Sequence, residues 1–398
     1  MTRITLYDPA HRDDLLPLVF ARPVASVRCG ILTLAEKWRQ YFPEATIDFA
    51  APDYLSSSFE LYQGGVTTFI DGSVLPNPEL VAELRKLSSG QALISARTQV
   101  ARVGESLEEV HAYDPDAPVT SNQVFVLDEP VQRLTRPADV FTFNGEQIEV
   151  DFRTLTAGRT SQPIPAGVTV VGPAKNLFLS PGAVIEPSII VCEEGPVYLG
   201  ENAKVLAGSL LRGPLALCRD SLVKMGAKVY NRTTVGPNCK VGGEINNVVF
   251  YANSNKGHDG FLGNAVIGEW CNIGADTNAS NLKNDYGEVR VWNYPARRFQ
   301  PTGLQFHGLV MGDHSKAGIN TMFNTGTVVG FSANVFGEGF PRPYIPSFSW
   351  GGAGGFQTYR LDKALATAER VLVRRGQTLT DDHRRLFQTI YERTEAFR

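Results

Sequence analysis

Residues 205–241 read VLAGSLLRGPLALCRDSLVKMGAKVYNRTTVGPNCKV, and every sixth position is aliphatic: Val205, Leu211, Leu217, Val223, Val229, Val235 and Val241. Small residues stand four positions after most of them, at Ser209, Ser221, Ala227, Thr233 and Cys239. The phase returns in Ile267 and Ile273, each followed by glycine, and again in Ala317, Phe323, Val329 and Val335. A period of six matches neither the α-helix, which repeats at about 3.6, nor the strand, which alternates at about 2. It matches a parallel β-helix of hexapeptide repeats, in which each aliphatic residue fills the interior and small residues fit the tight positions beside it. Such a prism sets a prior for sugar and acyl-transfer chemistry by fold analogy alone.

Working outward, the prism is expected to begin near Ile164 and to run to about residue 340, roughly eight or nine coils at three hexapeptides each. The phase vanishes between Asn281 and Leu309, so residues 282–308 read as an inserted loop. Upstream, residues 1–155 lack the phase. ITLYD, TIDFA, TTFIDG and ALISA read as strands, and ILTLAEKWRQYF and PELVAELRKL as helices, which implies an α/β layer with a mainly parallel sheet. YDPDAPVTSN reads as a loop, and GRTSQPIPAG as the junction between the domains. Downstream, residues 341–398 form a Pro- and Gly-rich arm followed by two amphipathic helices, the second capped by Thr380.

The chain has 398 residues and a net charge of −3, with no basic stripe for nucleic acid and no polybasic run for a membrane surface. The N-terminus lacks the apolar stretch of a signal peptide, and no apolar run approaches the length of a membrane helix. The five cysteines show no C-x-x-C pair, and Cys239 and Cys271 fall in small slots of the repeat, so packing explains them and a reducing cytoplasm is the simplest setting. The spacings of His258, His307 and His314 do not place three rings on one prism face, which speaks against a shared zinc site.

The segment Ser254–Asn281, SNKGHDGFLGNAVIGEWCNIGADTNASN, resembles the acetyltransferase half of the bifunctional GlmU enzymes, which acetylate glucosamine-1-phosphate and then make UDP-N-acetylglucosamine. The resemblance places His258 on the catalytic base and Glu244 on the carboxylate that orients it. A neutral imidazole, with an ordinary pKa near about 6.5, suits proton removal from a sugar amine. Asn272 falls on a sugar-binding asparagine, Ala275 on a residue whose backbone amide meets the acyl thioester, and Asn281 on an asparagine near the acyl donor. The family's substrate-binding tyrosine is Phe261 here, its later tyrosine is Leu282, its phosphate-binding lysine is Asn246, and a serine is Ile319. Lys256, Arg297, Arg298 or Lys316 are the cations available to replace the phosphate contact, and the polar coil MGDHSKAGIN is a further candidate lining of the same cleft.

LLPLVFARPVASVRCGILTLAEKW is similar to the signature that opens sugar nucleotidyltransferases. The glycine-rich phosphate loop of that family is replaced by YDPAHRDD, so Arg12, Arg22 and Arg28 are the candidates to neutralise phosphate, and Asp71 in FIDGSVLP to hold Mg²⁺. With both halves in this order, the whole chain resembles the divergent GlmU-like proteins. The resemblance implies an α/β nucleotidyltransferase-like (Rossmann-like) N-terminal domain, a left-handed parallel β-helix of hexapeptide repeats, and a C-terminal helical tail. The expected function is transfer of an acyl group from acetyl-CoA to a phosphorylated or nucleotide-linked amino sugar by a cytoplasmic homotrimer. Two alternatives stand beside it: a full bifunctional enzyme, or a non-catalytic trimeric scaffold that binds nucleotide sugar.

Overall fold

The computed structural model describes residues 2–112, 124–127 and 129–398; YDPDAPVTSN lies outside them. Its contacts divide the chain into two compact units. The first comprises residues up to Leu15, Ala21–Val27 and Leu32–Thr135, and the second Leu16–Phe20, Arg28–Ile31 and Arg136–Arg398.

The first unit is a six-stranded sheet of β1 (Arg3–Tyr7), β2 (Thr46–Ala50), β3 (Thr67–Asp71), β4 (Ala92–Ser95), β5 (Thr98–Gly104) and β6 (Val124–Leu127), in the order β2-β1-β3-β5-β4-β6. β1 runs parallel to β2 and β3, and β4 parallel to β6. All five residues of β3 are buried, as in a strand covered on both faces. Helix α1 (Leu34–Tyr41) starts on a capping box between Thr33 and Glu36, α2 (Pro78–Leu84) on the Asn77 side chain with proline in its first turn, and α3 (Leu107–His111) on the Ser106 side chain. The sheet is more mixed than its sequence suggests, because β5 runs antiparallel to both β3 and β4. Ala96 and Arg97, both at positive φ, turn β4 straight back into β5, without the glycine or asparagine that marks such hairpins.

The second unit is built on the parallel β-helix. Each coil carries three short strands, and stacked coils make three faces. The first face begins at Thr169–Val171 and continues through Ile189–Val191, Leu210–Arg212 and Lys228–Val229. The second begins at Leu177–Leu179 and continues through Val197–Leu199, Leu215–Leu217 and Thr233–Val235. The third begins at Val184–Ile185 and continues through Lys204–Val205, Leu222–Val223 and Lys240–Val241. Strands Glu244–Phe250 and Phe261–Ile267 each serve the first and second faces in turn. All seven aliphatic residues of the opening stretch, with Ile267, Ile273, Phe323, Val329 and Val335, lie in one buried core.

The former loop 282–308 contains an antiparallel hairpin, Arg290–Asn293 with Arg298–Pro301. The Pro- and Gly-rich arm adds further strands to the prism: Tyr344–Ile345 on the second face and Ser349–Gly352 on the third. Helix α5 (Leu361–Val373) and helix α6 (Asp381–Arg393) follow, with Thr380 accepting from the His383 amide as the cap of α6. Phe387 of α6 packs edge-on against Phe331 and His314. Among the described residues no helix is long and apolar enough to cross a membrane. All five cysteines are buried and form no disulfide, in keeping with a packing role.

Within the second unit a 20-residue helix, α4 (Pro137–Thr156), precedes the prism in sequence and packs on its second face. A Cβ at Gly145 would stand 2.7 Å from Cγ of Arg232, so the helix can approach the coil only with glycine there. Beside it, the Asn144 amide donates to the Arg232 carbonyl at 2.8 Å. Phe141 of α4 meets the ring of His307 edge-on at 5.2 Å.

His307 is 1% exposed, and burial pulls its imidazole down to about 4, aided by the charge of Arg136. An unfolded imidazole titrates near about 6.5, so between about pH 6.5 and 4 the unfolded chain binds a proton that the folded chain refuses. Stability therefore falls as pH drops through that window. Between pH 7 and 5 the wild-type second unit is expected to lose about 2 kcal/mol more than His307→Phe. Denaturant titrations at the two pH values check this; equal losses in both proteins contradict it.

Candidate active site

The prism edge that links its third face to its first carries the candidate chemistry. After Asn255–Lys256 on the third face, the chain turns through Gly257, His258, Asp259 and Gly260 into Phe261. One coil further on, Gly274, Ala275 and Asp276 make the same turn, and the Asp276 amide donates to the Asp259 carbonyl at 3.0 Å. Gly243 forms the floor at φ +76°, where a Cβ would meet the carbonyls of Gly260 and His258 at 2.7 and 2.8 Å. The edge therefore needs glycine both for its conformation and for its close stacking.

A groove of about 360 Å³ opens along this edge, lined by His258, Ala275, Lys224, Asp259 and Asp276 among others. His258 is exposed, and its ring nitrogens have no hydrogen-bond partner among the described residues. Asn320 donates to the Ala275 carbonyl, while the Ala275 N–H meets no acceptor among the described residues and remains available to a ligand. The edge thus offers an unengaged base, a backbone donor, two carboxylates and an ammonium to one bound molecule. Lys224 escaped the sequence reading because it lies thirty-four positions before His258; only its place on the same edge two coils earlier would have found it.

Other residues fall elsewhere. Among the described residues no hydrogen bond joins Glu244 to His258. The register partners of Glu244 are Lys228 and Phe261 on the outside of the first face, and its carboxylate lies 3.9 Å from the Lys228 ammonium. Phe261 shares that outward column, its N–H donating to Asn278 Oδ1 at 2.8 Å. Asn272 is exposed on the third face, in register with Asn255 and Lys316. Asn281 sits on the edge between the first and second faces, where its amide donates to Asn264 at 2.8 Å. Lys256 is buried, with its ammonium on the carbonyls of His258 and Asp259, so it does not reach a phosphate in the groove. The polar coil does not line the groove as a whole: Asp313 is buried, Lys316 donates to the carbonyls of Trp270 and His314, and His314 stacks on Trp270 beneath α6.

In the first unit, Asp8 and Asp71 stand at the carboxyl ends of β1 and β3, the usual ligand crevice of an α/β sheet. Asp8 accepts from the Val24 amide at 2.7 Å and from Arg12 Nε at 2.7 Å. Arg12 also binds Asp13 and the hydroxyl of Tyr54. Arg12 and Arg22 are buried. A phosphate would have to displace Asp8 to reach Arg12. Asp71 accepts twice from Ser73 at one oxygen, and Arg133 lies 3.3 Å from the other. Among the described residues no three His, Cys, Asp or Glu side chains gather as a metal site. The guanidinium takes the place a cation's further ligands would need, so Asp71 does not fit a resident Mg²⁺.

Residues 4–160 match the family model of sugar nucleotidyl transferases. The bifunctional protein GlmU of Nocardia farcinica is 27% identical over 274 residues, covering 59% of this chain and 50% of that protein. GlmU of Methanocaldococcus jannaschii is 34% identical over 118 residues, covering 30% of this chain and 26% of that protein. The chain therefore spans about half or less of the length of these curated relatives. Among solved structures, the UDP-N-acetylglucosamine acyltransferase of Francisella novicida aligns with a TM-score of 0.29 and 11% identity, covering 59% of this chain and 76% of that one. Fold and sequence together define a hexapeptide-repeat β-helix joined to a unit that matches the sugar nucleotidyl transferase model. Within that class the chain is similar to the bifunctional GlmU proteins over part of their length.

Proposed function

We propose that the second unit transfers an acyl group, with acetyl-CoA as donor, to the amine of a phosphorylated or nucleotide-linked amino sugar. The observation that carries this reading is His258, exposed and unengaged in a groove whose charges match such a substrate. Asp259 and Asp276 suit the amine and Lys224 suits the phosphate. His258 would take a proton from the amine as its nitrogen attacks the thioester carbon. The Ala275 N–H would donate to the oxygen that gains charge. Collapse of the tetrahedral adduct breaks the C–S bond, and the proton held by His258 passes to the leaving thiolate. Free thiol and amide are the products.

A homotrimer agrees with the apolar residues the prism turns outward. Ile189 and Leu210, neighbours on the first face, are 41% and 47% exposed, and Met225 beside the groove is 71% exposed. Packing prisms around a threefold axis would cover such residues and close the groove. The family match over residues 4–160 supports a second reading, in which the first unit binds nucleotide sugar. Its phosphate-facing groups are engaged with one another, so binding without turnover is favoured over nucleotidyl transfer.

A panel of sugar-1-phosphates and nucleotide amino sugars, incubated with acetyl-CoA and each nucleoside triphosphate, separates these readings. Thiol release alone is the expected result. Thiol with pyrophosphate would establish the bifunctional enzyme, and nucleotide-sugar binding with neither product the scaffold.

A further inference from the structure

Lys256 occupies an interior slot of the β-helix. In register it follows Val241, and Ile273 is the next interior residue above it. From Ile185 to Val335 the column otherwise holds Val205, Val223, Val241, Ile273 and Ala317, all buried like the two at its ends. Lys256 is 1% exposed, so an ammonium stands where the other coils from Ile185 to Val335 have an apolar side chain. Burying a charge there is costly unless it is fully hydrogen-bonded. Its Nζ donates to the His258 carbonyl at 2.8 Å and the Asp259 carbonyl at 3.0 Å. Gly243 packs against the same turn from the preceding coil. The backbone that carries the imidazole is thus held from inside the core by one ammonium and from one side by a glycine.

We propose that Lys256 is the positioning residue of the candidate site, a core ammonium that fixes the His258–Asp259 turn and so holds the imidazole at the groove; this rests on the acyltransfer reading. Charge assistance makes both bonds stronger than neutral ones would be. An aliphatic residue in this slot would satisfy the core and release the turn. A charge kept at such a place marks a site where local stability yields to function. Asp259 and Asp276 are the charged groups that face the ammonium, and burial outweighs them, bringing it down to about 8. Above that pH the lysine loses its charge, and its grip on the turn weakens.

The test is Lys256→Met in the full chain. Thermal unfolding at pH 7 is expected at or above the wild-type temperature, because the slot is apolar. With the best acceptor of the panel, kcat should fall about 10- to 100-fold with KM little changed, the effect of a misplaced catalytic group. Amide hydrogen exchange should quicken at Glu244 and Asp276, whose N–H groups donate to the Gly260 and Asp259 carbonyls. It should stay unchanged in the coils before Val235. Wild-type kcat should decline as pH passes about 8, and that limb should be missing from the variant.

Unchanged kcat and exchange would overturn the proposal, as would faster exchange throughout the prism with a lowered unfolding temperature, which is a merely structural role. If the methionine variant does not fold, Lys256→Ile replaces it, and unchanged kcat and exchange in that protein overturn the proposal. If the wild-type chain transfers no acyl group, the functional reading fails, while the exchange rates still decide whether Lys256 orders the turn.

Discussion

His258→Ala is expected to lower acyl transfer by about 10²–10⁴-fold, or roughly 3–5 kcal/mol of transition-state stabilisation. The ring stands in the groove with both nitrogens unengaged, and among the described residues no other imidazole lines it. His307 is buried against α4, and His314 lies beneath α6. Substrate binding should change little, so the loss should fall on kcat. Glu244→Gln should change the rate less than about threefold, because its carboxylate faces Lys228 rather than the imidazole. Steady-state thiol release by the purified variants decides both. A His258→Ala protein with near wild-type kcat removes this residue from the mechanism, and a loss at Glu244 as large as that at His258 restores the orienting pair.

Phe250→Ala is expected to destabilise the prism by about 3–5 kcal/mol, the usual cost of emptying a buried phenylalanine site. Phe250 is fully buried, paired in register with Val235 on one side and Ile267 on the other. The coil is bounded by short strands that cannot slide inward without breaking their ladders, so the cavity should collapse only in part. Phe250, Lys256 and Leu262 are consecutive interior residues leading into and out of the His258 turn. Because repeats are coupled to their neighbours, loss of order here should spread to that turn first. Denaturant unfolding followed by circular dichroism measures the cost. A shift below about 1 kcal/mol would mean that the interior tolerates a void at this position.

The prism was legible because one rule repeats: an aliphatic residue at every sixth position has a single way to be buried coil after coil. The same phase runs through Lys256, six after Phe250 and six before Leu262, but a lysine invites a surface reading and only the structure puts it inside. Helix α4 was missed because its apolar stripe is broken by Gly145 and by Asn144, residues that serve contact with Arg232. Pro137 with Asp139 two residues on was the available signal for its start. Strand β5 was missed because its turn uses Ala96 and Arg97. Glu244 was assigned by a motif written along the chain, whereas the coil sets which groups share an edge. The resemblance assigns all five residues to one site; the structure brings His258 and Ala275 to one edge and puts Asn272, Asn281 and Glu244 on other parts of the prism. Arg12 and Asp71 looked available for phosphate and metal; only coordinates reveal that Asp8, Ser73 and Arg133 already engage them.

The central claim is that this chain transfers an acyl group to an amino sugar at the edge carrying His258. Its most direct measurement is thiol release from acetyl-CoA by the full chain, assayed against a panel of amino-sugar phosphates and nucleotide amino sugars, with mass analysis of the product. The expected result is acceptor-dependent thiol release and a product heavier by one acetyl group on nitrogen, both lost in His258→Ala. Thiol release that ignores the acceptor, or no acetylated sugar from any member of the panel, would contradict it.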